Sequence, residues 1–205
     1  MRYKLISKAL SCFLDKEFAD PLAMILEKAE EKDSLKFEEI LFILSNYEKN
    51  EIQEILSLGY EWKLIVPQRS LKTLQWNDRV LLFKEGEVFI FYKIIRSFVV
   101  EALGSGVWNL DKAVELTFKD RPIEKINSYQ RLIRAFIKRS VAGRVDASQI
   151  KQECIVIGID PKEVDSIISS FKAVGIFSPD LGYLPRGLKE IGPVYELNPS
   201  LRICN

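Results

Sequence analysis

The stretch DASQIKQECIVIGIDPKEVDSIISSFKAVGIFSP, residues 146–179, decides how this chain is read. Asp146 is placed to cap a helix in which Ile150, Cys154 and Ile157 point inward. Gly158-Ile159-Asp160-Pro161 then reads as a turn. Asp160 caps the next helix, and Pro161 takes its first position, where a missing N–H costs nothing. Val164, Ile167, Ile168, Phe171 and Val174 recur at helical spacing, and Gly175 ends the run before Ile176-Phe177 begins a strand. In front lies a further amphipathic helix at 123–141, with Ile126, Tyr129, Leu132, Ile133, Phe136 and Ile137 on one broad face. Behind lie a Gly- and Pro-rich loop, DLGYLPRGLKEIGP (180–193), and a returning strand at Val194–Leu197.

A looser version of the same order runs from residue 18 to residue 66. Asp20-Pro21 predicts a helix start, with Leu22, Ile25, Leu26 and Ala29 on one face. Ser34 is placed to cap a second helix carrying Phe37, Ile40, Leu41 and Leu44. Asn46 leads into a third with Ile52, Ile55 and Leu56, which Gly59 would end. Leu64-Ile65-Val66 reads as a strand stopped by Pro67. Before this, residues 3–15 predict a helix with Leu5, Ile6, Leu10 and Phe13 on one side. After it, RVLLF-KEGE-VFIFY (79–92) predicts a β-hairpin turning at Gly86. Residues 93–103, KIIRSFVVEAL, predict a helix apolar over most of its circumference and therefore buried. Gly104-Ser105-Gly106 marks the expected boundary, dividing the chain into domains 1–104 and 107–205.

Three helices, a strand, a loop and a returning strand, as read over residues 123–198, resemble a winged helix-turn-helix of the kind found in prokaryotic transcription regulators and in replication and transcription-initiation proteins. Residues 18–92 resemble it more loosely. The resemblance rests on element order and caps. The fold class it implies is mainly α with small β-wings (α+β): two winged-helix-like domains joined by a buried helix. In DNA-binding members the third helix enters the major groove and the wing touches the backbone. By position the third helices here are 161–174 and about 48–58.

Composition narrows the function classes. The 205 residues are 47% hydrophobic and 29% charged, which suits one or two globular domains. The run Val88–Leu103 is broken by Lys93, Arg96 and Glu101, so no stretch approaches the roughly 18 apolar residues of a membrane span. The N-terminal MRYKLISKALSCFLDKE is interrupted by Lys8 and lacks a small-residue cleavage site, so it reads as an amphipathic helix and not as a signal peptide. Histidine is absent. That removes the commonest general base and transition-metal ligand, and with them Ser–His and Cys–His nucleophile pairs. No GxGxxG or GxxxxGK[ST] loop occurs. The expectation is a protein that is not an enzyme and has neither metal nor cofactor. Cys12, Cys154 and Cys204 are odd in number and far apart, so their spacing indicates no disulfide framework and the default location is the reducing cytoplasm.

A net charge of +1 conceals two poles. Residues 17–61 hold twelve acids against four bases, a balance of −8. Residues 119–144 hold eight bases against two acids, a balance of +6. On the 123–141 helix, Arg131, Arg134 and Lys138 fall on the face opposite the apolar one. With Arg139, Arg144 and the wing residues Arg186 and Lys189 they form a candidate anchor for a phosphate backbone. The third helix adds Lys162, Ser166 and Lys172, with Glu163 and Asp165 cancelling the two lysines. The 48–58 helix presents Glu48, Lys49, Glu51, Gln53 and Glu54, a poor match to phosphate. The expected partner is double-stranded DNA, contacted by the second domain in a regulator or accessory factor. The alternative is a protein-interaction scaffold, with a protein partner or a second copy meeting the apolar 88–103 region. Solvated or internally docked basic side chains would give the same sequence pattern.

Overall fold

The computed structural model describes residues 2–68, 82–180 and 193–202. Within them the chain is mainly helical, with two small antiparallel sheets, and one order of elements occurs twice. In the first half α1 (Tyr3–Leu10) precedes α2 (Lys16–Glu27), β1 (Ser34–Lys36), α3 (Phe37–Ile43), α4 (Lys49–Glu61), β2 (Val66–Pro67) and β3 (Val88–Ile90). Helix α5 (Lys93–Ser105) links the halves. In the second, α6 (Leu110–Thr117) precedes α7 (Ile123–Arg139), β4 (Arg144–Asp146), α8 (Ala147–Ile157), α9 (Val164–Val174), β5 (Phe177–Pro179) and β6 (Val194–Leu197). The sheets are ordered β1-β3-β2 and β4-β6-β5, so in each the last strand lies in the middle.

The repetition extends to register. Leu35 faces Phe89 and Pro67 faces Phe89 in the first sheet; Val145 faces Tyr195 and Pro179 faces Tyr195 in the second. The flanking hydrogen bonds match as well. Phe37 N–H donates to Glu87 and Phe91 N–H to Asp33, as Ala147 N–H does to Pro193 and Leu197 N–H to Gly143. Both prolines sit on outer strands, where no ladder donor is needed.

Local chemistry explains the helix starts. Asp146 accepts from Gln149 N–H at 2.8 Å while the Gln149 side chain accepts from Asp146 N–H at 3.0 Å. Asn109 accepts from Lys112 N–H at 3.1 Å at the start of α6. Orphan N–H groups of a first turn are thereby satisfied. Gly106, Gly158 and Gly175 follow α5, α8 and α9 in the left-handed conformation.

Several sequence expectations are corrected. Helix α1 stops at Leu10, and Leu5 is 40% exposed while Ile6 and Leu10 are buried. Asp15 is the last extended residue before α2, so Pro21 lies inside the helix and not at its start. It is buried in the core, and the Asp20 carboxylate read as a cap instead accepts from the Ser7 hydroxyl of α1. Ser34 begins β1 and does not cap a helix; Lys36 precedes α3, and Glu39 accepts from its N–H at 2.8 Å. Gly59 is not a cap but a buried residue of α4, where a Cβ would stand 2.8 Å from Leu22 and 3.0 Å from Ile65. The 79–92 hairpin is replaced: β3 pairs with β1 and β2, and Leu82-Phe83 is not in a strand. Residues 79–81 lie outside the described residues. Cys12 is disulfide-bonded although no cysteine is near it in sequence.

One hydrophobic cluster runs from Ile6 to Leu201 through both halves. The apolar helix α5 spends Ile94, Ile95, Phe98, Val99 and Ala102 on this core, packing on α1 and α6. Of its apolar residues Val100 is left exposed, at 43%, so the 88–103 region offers a partner little surface. Trp108 stacks on Phe98 at 4.6 Å and 2°. The two halves meet through equivalent corners. Lys63, at φ 53, follows α4 and feels the charge of Glu196 on β6. Gly175, at φ 83, follows α9 and lies so close to Tyr92 after β3 that a Cβ would stand 2.2 Å from the ring.

Candidate nucleic-acid interface

The expected basic anchor is mostly spent on internal partners. On α7, Arg134 forks onto Asp111 of α6 through Nε at 3.1 Å and Nη2 at 2.7 Å, and this hydrogen bonding raises its pKa further. Arg139 is bonded to Glu153 of α8, whose side chain is 5% exposed. Arg144 on β4 holds Asp180 at 2.5 Å, with the Asp180 side chain 1% exposed. Those two arginines therefore neutralise carboxylates the fold has removed from water, and less of their charge is left for a phosphate. Arg131 and Lys138 on α7 are exposed and form no ion pair among the described residues. Arg186 and Lys189 lie outside the described residues.

The third helix gains what the first, α7, loses. Lys162, Asp165, Ser166, Ser169 and Lys172 are all exposed along one side of α9 and the turn before it. Asp160 accepts from Lys162 N–H at 2.9 Å, fixing the first turn. Glu163, which the sequence sets against the lysines, is turned away: it holds Lys125 of α7 at 2.6 Å, and that bond raises the Lys125 pKa. The face is left with two lysines, two serines and one acid. That is a mildly cationic surface with hydroxyl donors, able to meet phosphate and groove-edge acceptors.

The corresponding helix of the first half is closed. Gln53 on α4 donates to the Phe83 carbonyl at 2.9 Å and accepts from Phe83 N–H at 2.8 Å. Phe83 is buried and packs edge-on against Phe89 at 5.1 Å. The segment before β3 is thus strapped across α4. The adjacent Glu54 and Glu61 are exposed and keep the rest of the face acidic.

A groove lies between the first and third helices of each half. In the first it measures about 470 Å³, with Lys16, Asp20, Tyr47, Glu51 and Glu54 along it. In the second it shrinks to about 210 Å³, because Lys125 and Glu163 join across it. Among the described residues no group of three or more His, Cys, Asp or Glu side chains could hold a metal ion. Cys154 is buried, and burial pushes its thiol up to about 11, which leaves it unreactive at neutral pH. Lys63 is 6% exposed and sits 3.9 Å over the Tyr60 ring; burial pushes its pKa down to about 8.

Sequence reasoning missed the Lys125–Glu163 bridge, the Gln53–Phe83 strap and the burial of Lys63. Each joins residues distant along the chain or reverses the usual exposure of its type, so no local pattern reports it. Among the described residues no helix is long and apolar enough to cross a membrane. No curated protein and no solved structure matches the chain. A family model does match, over residues 6–205 and so across both repeats, and the chain belongs to that family.

Proposed function

We propose that this is a non-enzymatic tandem winged-helix protein that binds duplex DNA through its second repeat, as a cytoplasmic transcription regulator or accessory factor of the prokaryotic type. The order helix, strand, helix, helix, strand, strand, with the last strand central, supports the winged-helix reading of both repeats. The observation that carries DNA binding is the α9 face: Glu163 is withdrawn onto Lys125, leaving Lys162, Ser166, Ser169 and Lys172 outward. Contacts of this kind are largely to phosphate, so affinity falls with salt and sequence preference is slight.

Fluorescence anisotropy on a short duplex over a salt series tests it. Lys162→Ala with Lys172→Ala should reduce the salt slope by about 2, close to one per lysine lost. Arg134→Ala, whose guanidinium is engaged by Asp111, should leave the slope unchanged. Absence of binding at low salt, or an unchanged slope in the double variant, would refute the reading. A second reading, a protein-interaction scaffold, is favoured by exposed apolar side chains: Phe42 at 83% on α3, and Ile155 at 54% with Val156 at 63% on α8. If duplex does not bind, these are the surfaces to follow.

A further inference from the structure

A cleft of about 260 Å³ lies between the turn after α2, helix α5 and the end of α6. Lys93 and Arg96 line it from α5, and Lys119 lines it from just after α6. Lys93 and Lys119 are exposed, and neither is in an ion pair among the described residues. Arg96 donates from Nε to the Ala29 carbonyl at 3.0 Å, which pins its guanidinium beside the cleft. Among the described residues its Nη groups meet no carboxylate. Glu30 is the acid in the lining, and Arg2 already holds both of its oxygens, at 2.8 and 2.9 Å. The cleft thus keeps a surplus of three positive charges. Lys93 and Arg96 stand three residues apart on one helix, where like charges repel and cost stability. In the basic anchor of the second repeat Arg134, Arg139 and Arg144 each meet a carboxylate of the fold; these three cations do not. A buried hydroxyl pair completes the lining. Thr117 of α6 donates to Ser97 of α5 at 2.8 Å, and Ser97 borders the cleft. Two hydroxyls carry two hydrogens and this bond uses one, so one donor is left over there.

We propose that this cleft is a binding site for a small phosphate monoester. A phosphate dianion answers the charge surplus, and its oxygens accept from the Arg96 fork, from the two ammonium groups and from the spare hydroxyl. The cleft is at the small end of ligand pockets, and Val100 and Leu116 give it aliphatic walls. That limits the organic part of the ligand to a few carbon atoms. The bound anion ties the turn after α2 to α5 and to the end of α6, and so joins the first repeat to the helix that opens the second. The site stands apart from the duplex-binding reading, because none of its residues is on α9.

The full chain is titrated with glycerol 3-phosphate in a calorimeter, with sodium chloride holding the ionic strength constant. The expected result is saturation at one equivalent per chain, with a Kd of about 1 mM or below. Lys93→Met and Lys119→Met change exposed side chains, so the fold should persist by circular dichroism. Each should weaken binding about three- to tenfold, and Ser97→Ala about threefold. Arg2→Ala uncovers the Glu30 charge and should also weaken binding, whereas Glu30→Gln removes that charge and should tighten it. A purely structural role for these residues would not move affinity in opposite directions. Lys162→Ala with Lys172→Ala should leave the affinity unchanged, which separates the cleft from the α9 face. The proposal is overturned if no saturation is seen by about 10 mM, or if Lys93→Met and Lys119→Met bind as the parent does. Loss of binding in the α9 double variant overturns it as well. So does a Lys93→Met that weakens duplex binding and leaves glycerol 3-phosphate binding intact, since the cleft then serves a nucleic-acid backbone.

Discussion

The two repeats share strand order, register and flanking hydrogen bonds, yet they present opposite third helices. Helix α4 is acidic and strapped by Gln53 to Phe83; the α9 face is open and carries Lys162 and Lys172. Element order therefore fixes where a recognition face would lie, while a few long-range partners decide whether it is available. Glu163 makes the point most simply. Counted along the sequence it neutralises α9; bonded to Lys125 it belongs to α7.

The cores differ in the same spirit. Where α9 buries Phe171, the corresponding position of α4 is Gly59. Where α7 buries Tyr129 and Ile133, α2 buries Ala19 and Ala23. The large residues of the second repeat pack on each other, Tyr129 meeting Phe171 edge-on at 5.2 Å and Phe118, just after α6, at 4.8 Å. The small residues of the first let α1 approach α2. Phe171→Ala should therefore cost about 3–5 kcal/mol, the largest effect anticipated, because nothing in the second repeat can move in to fill the space. Urea unfolding followed by circular dichroism measures it. A cost under about 1 kcal/mol would mean that the second core can collapse as the first has done.

The equivalent corners Lys63 and Gly175 sharpen the contrast through pH. Burial lowers the folded pKa of Lys63 to about 8 from 10.5, with Glu196 and Glu61 opposing the shift. Between those values the unfolded chain binds the proton and the folded chain does not. Stability should therefore rise as pH goes from about 8 to about 10.5, by up to about 3 kcal/mol, and this contribution should be flat below pH 8. Lys63→Met should abolish that rise relative to the parent protein, as read from urea midpoints at pH 7.5 and pH 10. An identical pH profile in the variant would mean that the ammonium is well solvated in the fold.

At the other corner a Cβ is forbidden twice, by φ 83 and by the Tyr92 ring. Gly175→Ala should cost about 2 kcal/mol, while Gly158→Ala, at φ 86 with open space around it, should cost about 1 kcal/mol. The difference between the two melting temperatures isolates the approach of the repeats. Equal shifts would show that Tyr92 swings away freely.

What was legible in the sequence was the second repeat's helices. Asp146, Gly158, Asp160-Pro161 and Gly175 all mark the ends they were read to mark, because capping is decided within four residues of chain. The strands β1 and β4 were not legible, since three residues are too few for an alternating pattern. Asp20-Pro21 misled because the helix starts earlier, at Lys16, and the Asp20 carboxylate is taken by Ser7 of α1. The basic stripe was legible as composition but not as a surface. Arg131 and Lys138 are outward as periodicity places them, whereas Arg139 and Arg144 are claimed by Glu153 and Asp180, and no spacing rule foretells those partners.

That claim can be tested by making one repeat resemble the other. Five residues before β4 stands Arg139, and five before β1 stands Ala29; the seventh residue of α8 is Glu153, and of α3 it is Ile43. The first repeat thus fills with apolar side chains the place where the second holds an ion pair. Arg139→Ala alone strands the buried Glu153 carboxylate and should cost about 1–2 kcal/mol, less than a fully buried pair because the arginine side chain is 56% exposed. Adding Glu153→Ile removes the stranded charge and recreates the pair used by the first repeat. The double variant should return to within about 0.5 kcal/mol of the parent, since exchanging a buried pair for apolar groups is often neutral. Recovery would show that the pair sets surface charge and adds little to stability. A double variant no more stable than Arg139→Ala would show that the two repeats, alike in backbone, have cores that no longer accept each other's residues.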